Sequence, residues 1–275
     1  FPTRRSSDLE ELKSEFYRLA CTFYVSPGNE RTYVVLSGLN ENMPAAVQLF
    51  EKLLADAQVN KEAYTNMTSD ILKARSDAKL NQGQNFSRLM SFAMYGPKSP
   101  ATNLLTEAEL TNMNPQELVD RIHNQNSYKH RILYYGPSSS KDLLATINQY
   151  HQVPAALKDI PAGNEYSYLE TPVTKVLVAP YDAKQIYMAQ ISNLDKKYDP
   201  AIEPIRALYD EYFGGGMNSI VFQEMRETRG LAYSAWASIM PPSYLKYPYV
   251  LRTQIATQND KMIDAVTTFN DKIGR

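Results

Sequence analysis

The sequence predicts an α+β fold built from two homologous domains, each a mainly antiparallel sheet with helices packed on one face. Three observations lead to this prediction. A helix, a pair of alternating strands and a second helix follow one another near the start of the chain, and the same unit recurs near its end. The length of 275 residues suits about two domains, because single hydrophobic cores rarely grow beyond this size.

The first unit is read from its hydrophobic periods. Residues 10–18 predict a short helix and residues 19–25 an alternating strand, which the turn-forming run Ser26-Pro27-Gly28-Asn29 ends. Residues 31–39 predict a returning strand, and residues 44–55 an amphipathic helix. The unit is therefore a helix, a β-hairpin and a helix.

The second copy is recognised by alignment with the first. Leu19-Ala20 corresponds to Leu231-Ala232, and Tyr33-Val34-Val35 corresponds to Tyr249-Val250-Leu251. In the helices that follow, Val47, Phe50 and Leu53 correspond to Ile263, Val266 and Phe269. These matches indicate a duplicated domain.

The domain limits follow from changes in composition. Residues 1–9 show no period and are expected to be a non-native lead sequence. Residues 10–152 form the first domain, which is expected to lack its N-terminal part, and residues 153–171, rich in proline and small polar residues, form the linker. Residues 172–275 form the second domain, which is expected to be truncated because a helical pattern still runs at the end of the chain.

Further elements fill these domains. A long helical pattern over residues 61–93 is interrupted at Gly83 and belongs to the first domain. Residues 130–135, 173–179 and 185–191 have the composition of strands, and residues 204–213 predict a helix.

The most informative stretch covers residues 213–236. Gly214, Gly215 and Gly216 must end the preceding helix, because glycines carry a large backbone-entropy cost in a helix. Met217, Val221 and Met225 then recur at helical spacing, so they predict the apolar face of a new helix. Gly230 ends this helix, and a strand-like alternation follows it. Arg226 thus closes a helix, and Tyr233 opens a strand.

This stretch resembles the second-domain motif of the insulinase/pitrilysin family, the zinc metallopeptidases known as inverzincins. In that family, a glycine-rich turn, a helix and a strand present an Arg and a Tyr seven residues apart to a peptide substrate. Arg226 and Tyr233 have this spacing. The resemblance therefore implies that they bind substrate. Taken singly, Arg226 would be explained as a helix C-terminal cation and Tyr233 as an interior strand aromatic.

The catalytic residues of the family are missing from this segment. The family binds zinc through H-x-x-E-H, but His123, His130 and His151 do not have that spacing. Ala74 stands at or near the position of the glutamate that supplies the third ligand. In the first copy, Ser14 and Cys21 correspond to Arg226 and Tyr233, so the polar pair is absent there. We predict no catalytic and no metal-binding residue in this segment.

The resemblance implies the non-catalytic C-terminal half of a zinc metalloendopeptidase that degrades peptides, with zinc bound outside this segment. Its partners would be an extended peptide substrate and a catalytic half, either fused or separate. The alternative is a proteolytically inactive structural or assembly subunit of the same family, and upstream sequence carrying H-x-x-E-H would decide for the enzyme. A free-standing peptide-binding module is a weaker third possibility.

Composition excludes other classes of protein. A net charge of −1 indicates no nucleic-acid partner, and no apolar run reaches the roughly 18 residues of a membrane span. The run GGGMNS lacks the final glycine of a dinucleotide-binding motif. The single cysteine, Cys21, leaves the cellular compartment open.

Overall fold

A computed structural model describes residues 6–28 and 31–273 of the chain. It confirms the predicted α+β class, with helices and antiparallel sheets in both parts of the chain. The chain folds into two compact units. The first unit contains residues up to Arg75 and Leu105–Asn164, and the second contains Ser76–Leu104 and Glu165–Arg275.

The first unit contains the predicted helix, hairpin and helix. Its helices and strands are α1 (Ser6–Arg18), β1 (Cys21–Pro27), β2 (Thr32–Gly38), α2 (Met43–Ala55), α3 (Lys61–Lys79, which the unit boundary divides), α5 (Glu107–Asn112), α6 (Gln116–Asn124) and α7 (Ser140–Tyr150). β1 and β2 pair antiparallel, with Cys21 opposite Gly38. The rings of Phe16 and Phe50 contact Phe23 at centroid distances of 4.8 and 5.4 Å. These rings join α1, β1 and α2 in a small apolar core.

The first helix is longer than predicted: α1 begins at Ser6, and the sequence predicts its start at residue 10. Ser6 falls within the stretch that the sequence assigns to a lead sequence, and residues 1–5 of that stretch lie outside the described residues.

The second unit is a three-stranded antiparallel sheet with helices. It contains α4 (Gln82–Tyr95), β3 (Gln185–Lys197), α8 (Glu203–Asp210), a π-helical turn (Glu211–Gly215), α9 (Ile220–Phe222) with its π-helical continuation (Gln223–Thr228), β4 (Ser234–Met240), β5 (Pro248–Gln258) and α10 (Met262–Ile273). The strand order is β3-β5-β4. One face of the sheet packs against α9 and α10, with Val221, Met225, Ile255 and Phe269 almost fully buried. β4, β5 and α10 repeat the hairpin and helix of the first unit.

Residues of α4 belong to the second unit, although the sequence predicts that residues 61–93 belong to the first domain. The ring of Phe86 meets that of Tyr187 on β3 at 5.6 Å, and the amide of Gln82 donates to the carbonyl of Gln185 at 2.6 Å. The break between α3 and α4 also lies before the predicted Gly83, because the side chain of Asn81 caps α4. Local periodicity detects the helices but not their packing partners.

Two of the predicted strands are wrong. Residues 130–135 and 173–179 form no strand within the described chain, and Leu133, Tyr135 and Val176 are largely exposed. A strand needs a neighbour that completes its hydrogen-bonded ladder, and these apolar runs pair with no strand among the described residues. Met217, predicted on the apolar face of a helix, is 74% exposed, and Ile263, which the alignment matches to Val47, is 79% exposed.

No helix of the described residues is both long and apolar enough to cross a membrane.

Candidate functional site

The glycine run forms the first part of the candidate site, and its glycines are required by close packing. A Cβ atom on Gly214 would lie 2.3 Å from the carbonyl oxygen of Ala237 on β4, a distance that real structures essentially never show. A Cβ atom on Gly216 would lie 3.0 Å from the carboxylate of Glu211, which is the end of a flexible side chain. A Cβ atom on Gly215 would lie 3.1 Å from the same carboxylate and 2.9 Å from the carbonyl oxygen of Asp210. The π-helical turn therefore touches the edge strand of the sheet backbone to backbone.

A polar network ties the same corner to β4. Asp210 accepts hydrogen bonds from the amide of Ile239 at 2.7 Å and from the hydroxyl of Ser238 at 2.9 Å. Arg206 donates to Asp210 at 2.7 Å and to the Ile239 carbonyl at 2.9 Å. Both outward-pointing backbone groups of Ile239 are thus paired, which covers this end of an edge strand.

The helix that carries Arg226 is fixed at both ends. Ser219 caps its start by accepting from the Phe222 amide at 3.3 Å, and Met225 is 1% exposed. At its end, Gly230 adopts a left-handed φ of 58°. The amides of Leu231 and Ala232 then donate to the Met225 carbonyl at 2.8 and 3.1 Å. Backbone hydrogen bonds therefore fix the connection between the helix that carries Arg226 and the strand that follows it.

Arg226 and Tyr233 meet at this connection. The Arg226 guanidinium carbon lies 5.6 Å from the centroid of the Tyr233 ring and 5.1 Å from that of Phe222. These are cation–π distances. The amide of Tyr233 donates to the Ala256 carbonyl on β5 at 2.8 Å, so the backbone beneath the ring is held by the sheet.

Both functional groups are accessible to solvent. Tyr233 is 69% exposed, so the interpretation as an interior strand aromatic is wrong. The side chain of Arg226 is 47% exposed, and its Nε lies 3.7 Å from a carboxylate oxygen of Glu227. The structure therefore presents a guanidinium and a phenol side by side on the surface of the second unit.

Glu224, near the same end of the helix, pairs with two other cations. Glu224 lies 3.5 Å from Arg229 and 3.4 Å from Lys272. On the sheet, the guanidinium of Arg252 lies 5.0 Å from the Trp236 ring, and partial burial lowers the pKa of Arg252. Arg229 and Arg252 thus contact Glu224 and Trp236, whereas Arg226 contacts the rings of Tyr233 and Phe222.

The described residues offer no set of ligands for a catalytic metal ion. The described residues contain no group of three His, Cys, Asp or Glu side chains that could hold a metal ion. Ala74 lies on α3, and Ser14 and Cys21, the counterparts of the polar pair, lie on α1 and β1 of the first unit. The residues present do not supply the ligands or the general base of a zinc peptidase.

One arrangement was missed by sequence reasoning. His130 and His151 are brought together with their Nε2 atoms 2.9 Å apart. Their separation of twenty-one residues matches no metal-binding motif, so the sequence carries no signal for this contact.

Comparison with known proteins finds a similar fold among solved structures. No protein-family model and no curated protein matches the sequence. Among solved structures, the peptidase M16 inactive domain from Pseudomonas fluorescens superposes with a TM-score of 0.68 and 16% identity, over 97% of this chain and 64% of that one.

Two proteases give similar superpositions. The periplasmic protease PqqL from Escherichia coli has a TM-score of 0.71 and 14% identity, over 96% of this chain and 29% of that one. The ferredoxin protease FusC, in complex with Arabidopsis ferredoxin, has a TM-score of 0.69 and 10% identity, again over 96% and 29%. The chain thus spans less than two thirds of each of these proteins. At such identities the likeness establishes the shared fold.

Proposed function

We propose that this chain is the substrate-binding, chamber-closing and non-catalytic half of a zinc metalloendopeptidase that degrades peptides. The observation that carries the proposal is the pair of Arg226 and Tyr233. Their groups lie 5.6 Å apart on an exposed surface, and their backbone is held by hydrogen bonds.

The chemistry of the pair suits a peptide backbone. A guanidinium and a phenol both donate hydrogen bonds, and an extended peptide offers a carbonyl acceptor at every residue. Donors that are held in place before the substrate arrives need little reorganisation when charge develops on a carbonyl oxygen. In a chamber closed to water, such donors contribute more than they would in open solvent.

Arg226 is available for this role. Within the described part of the chain its one ionic partner is Glu227, at 3.7 Å, beyond hydrogen-bonding distance. Exposed ion pairs of this kind contribute about 0–1 kcal/mol. A hydrogen bond from the Arg226 guanidinium to a substrate carbonyl can therefore replace the contact with Glu227 with little loss of free energy.

The metal and the general base would come from a catalytic half, fused or separate, because the sequence of this segment carries no H-x-x-E-H. The polypeptide nature of the substrate is supported by FusC, a protease of the same fold that is described as a ferredoxin protease.

The second candidate is an inactive structural or assembly subunit. It is favoured by the same lack of a catalytic set among the described residues, and by the likeness to a domain described as inactive. Under this alternative, Arg226 and Tyr233 would have no effect on any peptidase activity.

The deciding experiment combines the chain with a catalytic half and measures peptide cleavage. The chain alone should cleave no peptide. In the combined enzyme, Arg226→Ala should reduce turnover by about 10²–10³, the typical loss of one transition-state donor.

Arg229→Ala is the matched control, since Arg229 lies three residues further on, is similarly exposed at 51% and pairs with Glu224. Equal losses in the two variants, or no loss in either, would reject the substrate-binding role of Arg226.

A further inference from the structure

Three side chains of the first unit form a hydrogen-bonded series that the proposed function does not use. Glu51 lies on α2, His151 directly follows α7, and His130 lies in the coil after α6. A carboxylate oxygen of Glu51 lies 2.6 Å from Nδ1 of His151, and Nε2 of His151 lies 2.9 Å from Nε2 of His130. The series ends at the Tyr128 carbonyl, 2.7 Å from Nδ1 of His130.

The hydrogen-bond partners of His151 and His130 determine which ring nitrogens carry hydrogen. Nδ1 of His151 faces a carboxylate and Nδ1 of His130 faces a carbonyl, and both oxygens only accept, so each Nδ1 must carry hydrogen. In the neutral rings each Nε2 then carries a lone pair. Two lone pairs 2.9 Å apart repel each other unless a cation lies between them. The cation can be a shared proton or a metal ion.

We propose that His130 and His151 form a two-imidazole site for a divalent transition-metal ion of tetragonal geometry, Cu²⁺ or Ni²⁺. Imidazole suits these ions, which favour square-planar or tetragonal sites with nitrogen and oxygen ligands. Water would supply the remaining ligands.

The spacing favours this geometry over a tetrahedral one. With metal–nitrogen distances of about 2.0–2.1 Å, two ligands at a right angle lie about 2.9 Å apart, whereas tetrahedral ligands lie about 3.3–3.4 Å apart. The observed spacing of 2.9 Å matches the right angle.

The surroundings resemble those of a built metal site. Metal-binding histidines commonly donate their second N–H to a carboxylate or a backbone carbonyl, which fixes the ring orientation. Glu51 and Tyr128 serve His151 and His130 in this way. Glu51 is itself held by the amide of Asn126 at 3.0 Å. The side chains of His151 and Glu51 are only 14% and 19% exposed, so their positions are constrained.

The test is a calorimetric titration of the untagged chain with CuCl2 and, separately, with NiCl2. The expected result is one saturable site, and the electron paramagnetic resonance spectrum of the Cu²⁺ form should show hyperfine coupling to two imidazole nitrogens. His130→Ala should lower the affinity at least about tenfold, and Glu51→Gln by about 10–100-fold, the usual effect of losing a residue that orients a metal ligand.

The chain offers a matched control, because its one other histidine, His123, is exposed on α6. His123→Ala should leave the affinity unchanged. His130 is also exposed, so its replacement should not prevent folding, and the spectrum of the unmodified chain tests the site without any variant.

Absence of a saturable site for both ions, or an affinity that His130→Ala does not lower, would show that the rings share a proton only. Neither result bears on Arg226 and Tyr233, whose role is tested by peptide cleavage.

Discussion

Gly214 touches the backbone of Ala237 directly: a Cβ atom on Gly214 would lie 2.3 Å from its carbonyl oxygen and 2.4 Å from its amide nitrogen. The contact joins the π-helical turn after α8 to the edge strand β4. The corner that leads to Arg226 therefore depends on a position where no side chain fits.

Gly214→Ala should destabilise the protein by about 1–3 kcal/mol, the usual cost of forcing extra atoms into a packed site. The neighbouring atoms belong to backbone and cannot move aside easily. Alanine has a higher helix propensity than glycine by up to about 1 kcal/mol. The measured loss in the free energy of unfolding is therefore the steric cost minus this gain. Urea unfolding of both proteins measures the difference.

Gly216→Ala is the control, because its added Cβ would meet only the flexible end of Glu211 at 3.0 Å. Equal changes in the free energy of unfolding for the two variants would contradict the prediction that the contact between Gly214 and Ala237 excludes a side chain.

The pair of Glu203 and Tyr249 should make stability depend on pH in acid. The buried Tyr249 hydroxyl donates to Glu203 at 2.6 Å, and this bond, with a further contribution from Arg206, holds the pKa of the Glu203 carboxyl below its usual range. A lowered folded pKa stabilises the protein above the unfolded pKa, and this stability is lost as the pH falls through the folded pKa. The loss should therefore begin near pH 4.5, the ordinary value for this carboxyl, and grow below it.

Urea midpoints measured across this pH range test the prediction. Glu203→Gln removes this titrating group and should reduce the slope on the acid side of the profile. Glu170→Gln changes an exposed carboxyl in coil and should leave the profile as it is. If Glu203→Gln keeps the slope of the unmodified chain, the acid sensitivity arises elsewhere.

Tyr233→Phe should lower turnover of the combined enzyme while leaving the melting temperature almost unchanged, because the ring is 69% exposed and keeps its contact with Arg226. If Arg226 and Tyr233 act on the same carbonyl, the double variant should lose less than the product of the two single losses. Peptide-cleavage kinetics beside thermal melts measure both quantities.

Tyr212→Phe is the control for the lost phenol, since Tyr212 is 67% exposed in the same unit. A purely structural role would give the opposite pattern, with lower melting temperatures and unchanged activity per folded molecule.

Limited proteolysis should cut first within residues 159–164. The backbone of Lys158 is held by hydrogen bonds to Ser127 and Lys129, and that of Leu169 by a bond to Met94. Residues 159–164 are all exposed and have no such backbone bond within the described chain. Proteases need an accessible segment that can extend locally.

Subtilisin digestion at low enzyme ratios, followed by mass spectrometry, locates the first cut. Initial cuts within residues 31–56 would show that the predicted linker over residues 153–171 is misplaced.

Much of the fold was open to prediction because it is encoded locally. The alternation over residues 19–25 and 31–39 predicts the β1–β2 hairpin, and helical spacing predicts α2 and α10. The glycine run and the spacing of Arg226 and Tyr233 likewise belong to a single short stretch, so their corner could be placed before any contact was known.

The tertiary structure decided whatever depends on distant partners. Residues 130–135 have the composition of a strand but no neighbour to pair with, and α4 packs on β3, about a hundred residues further along the chain. Likewise, the exposure of Tyr233 and the meeting of His130 with His151 and Glu51 follow from how elements pack. Periodicity records only which side of an element is apolar. The identity of the neighbour on that side is set by contacts that the chain makes with itself over long separations.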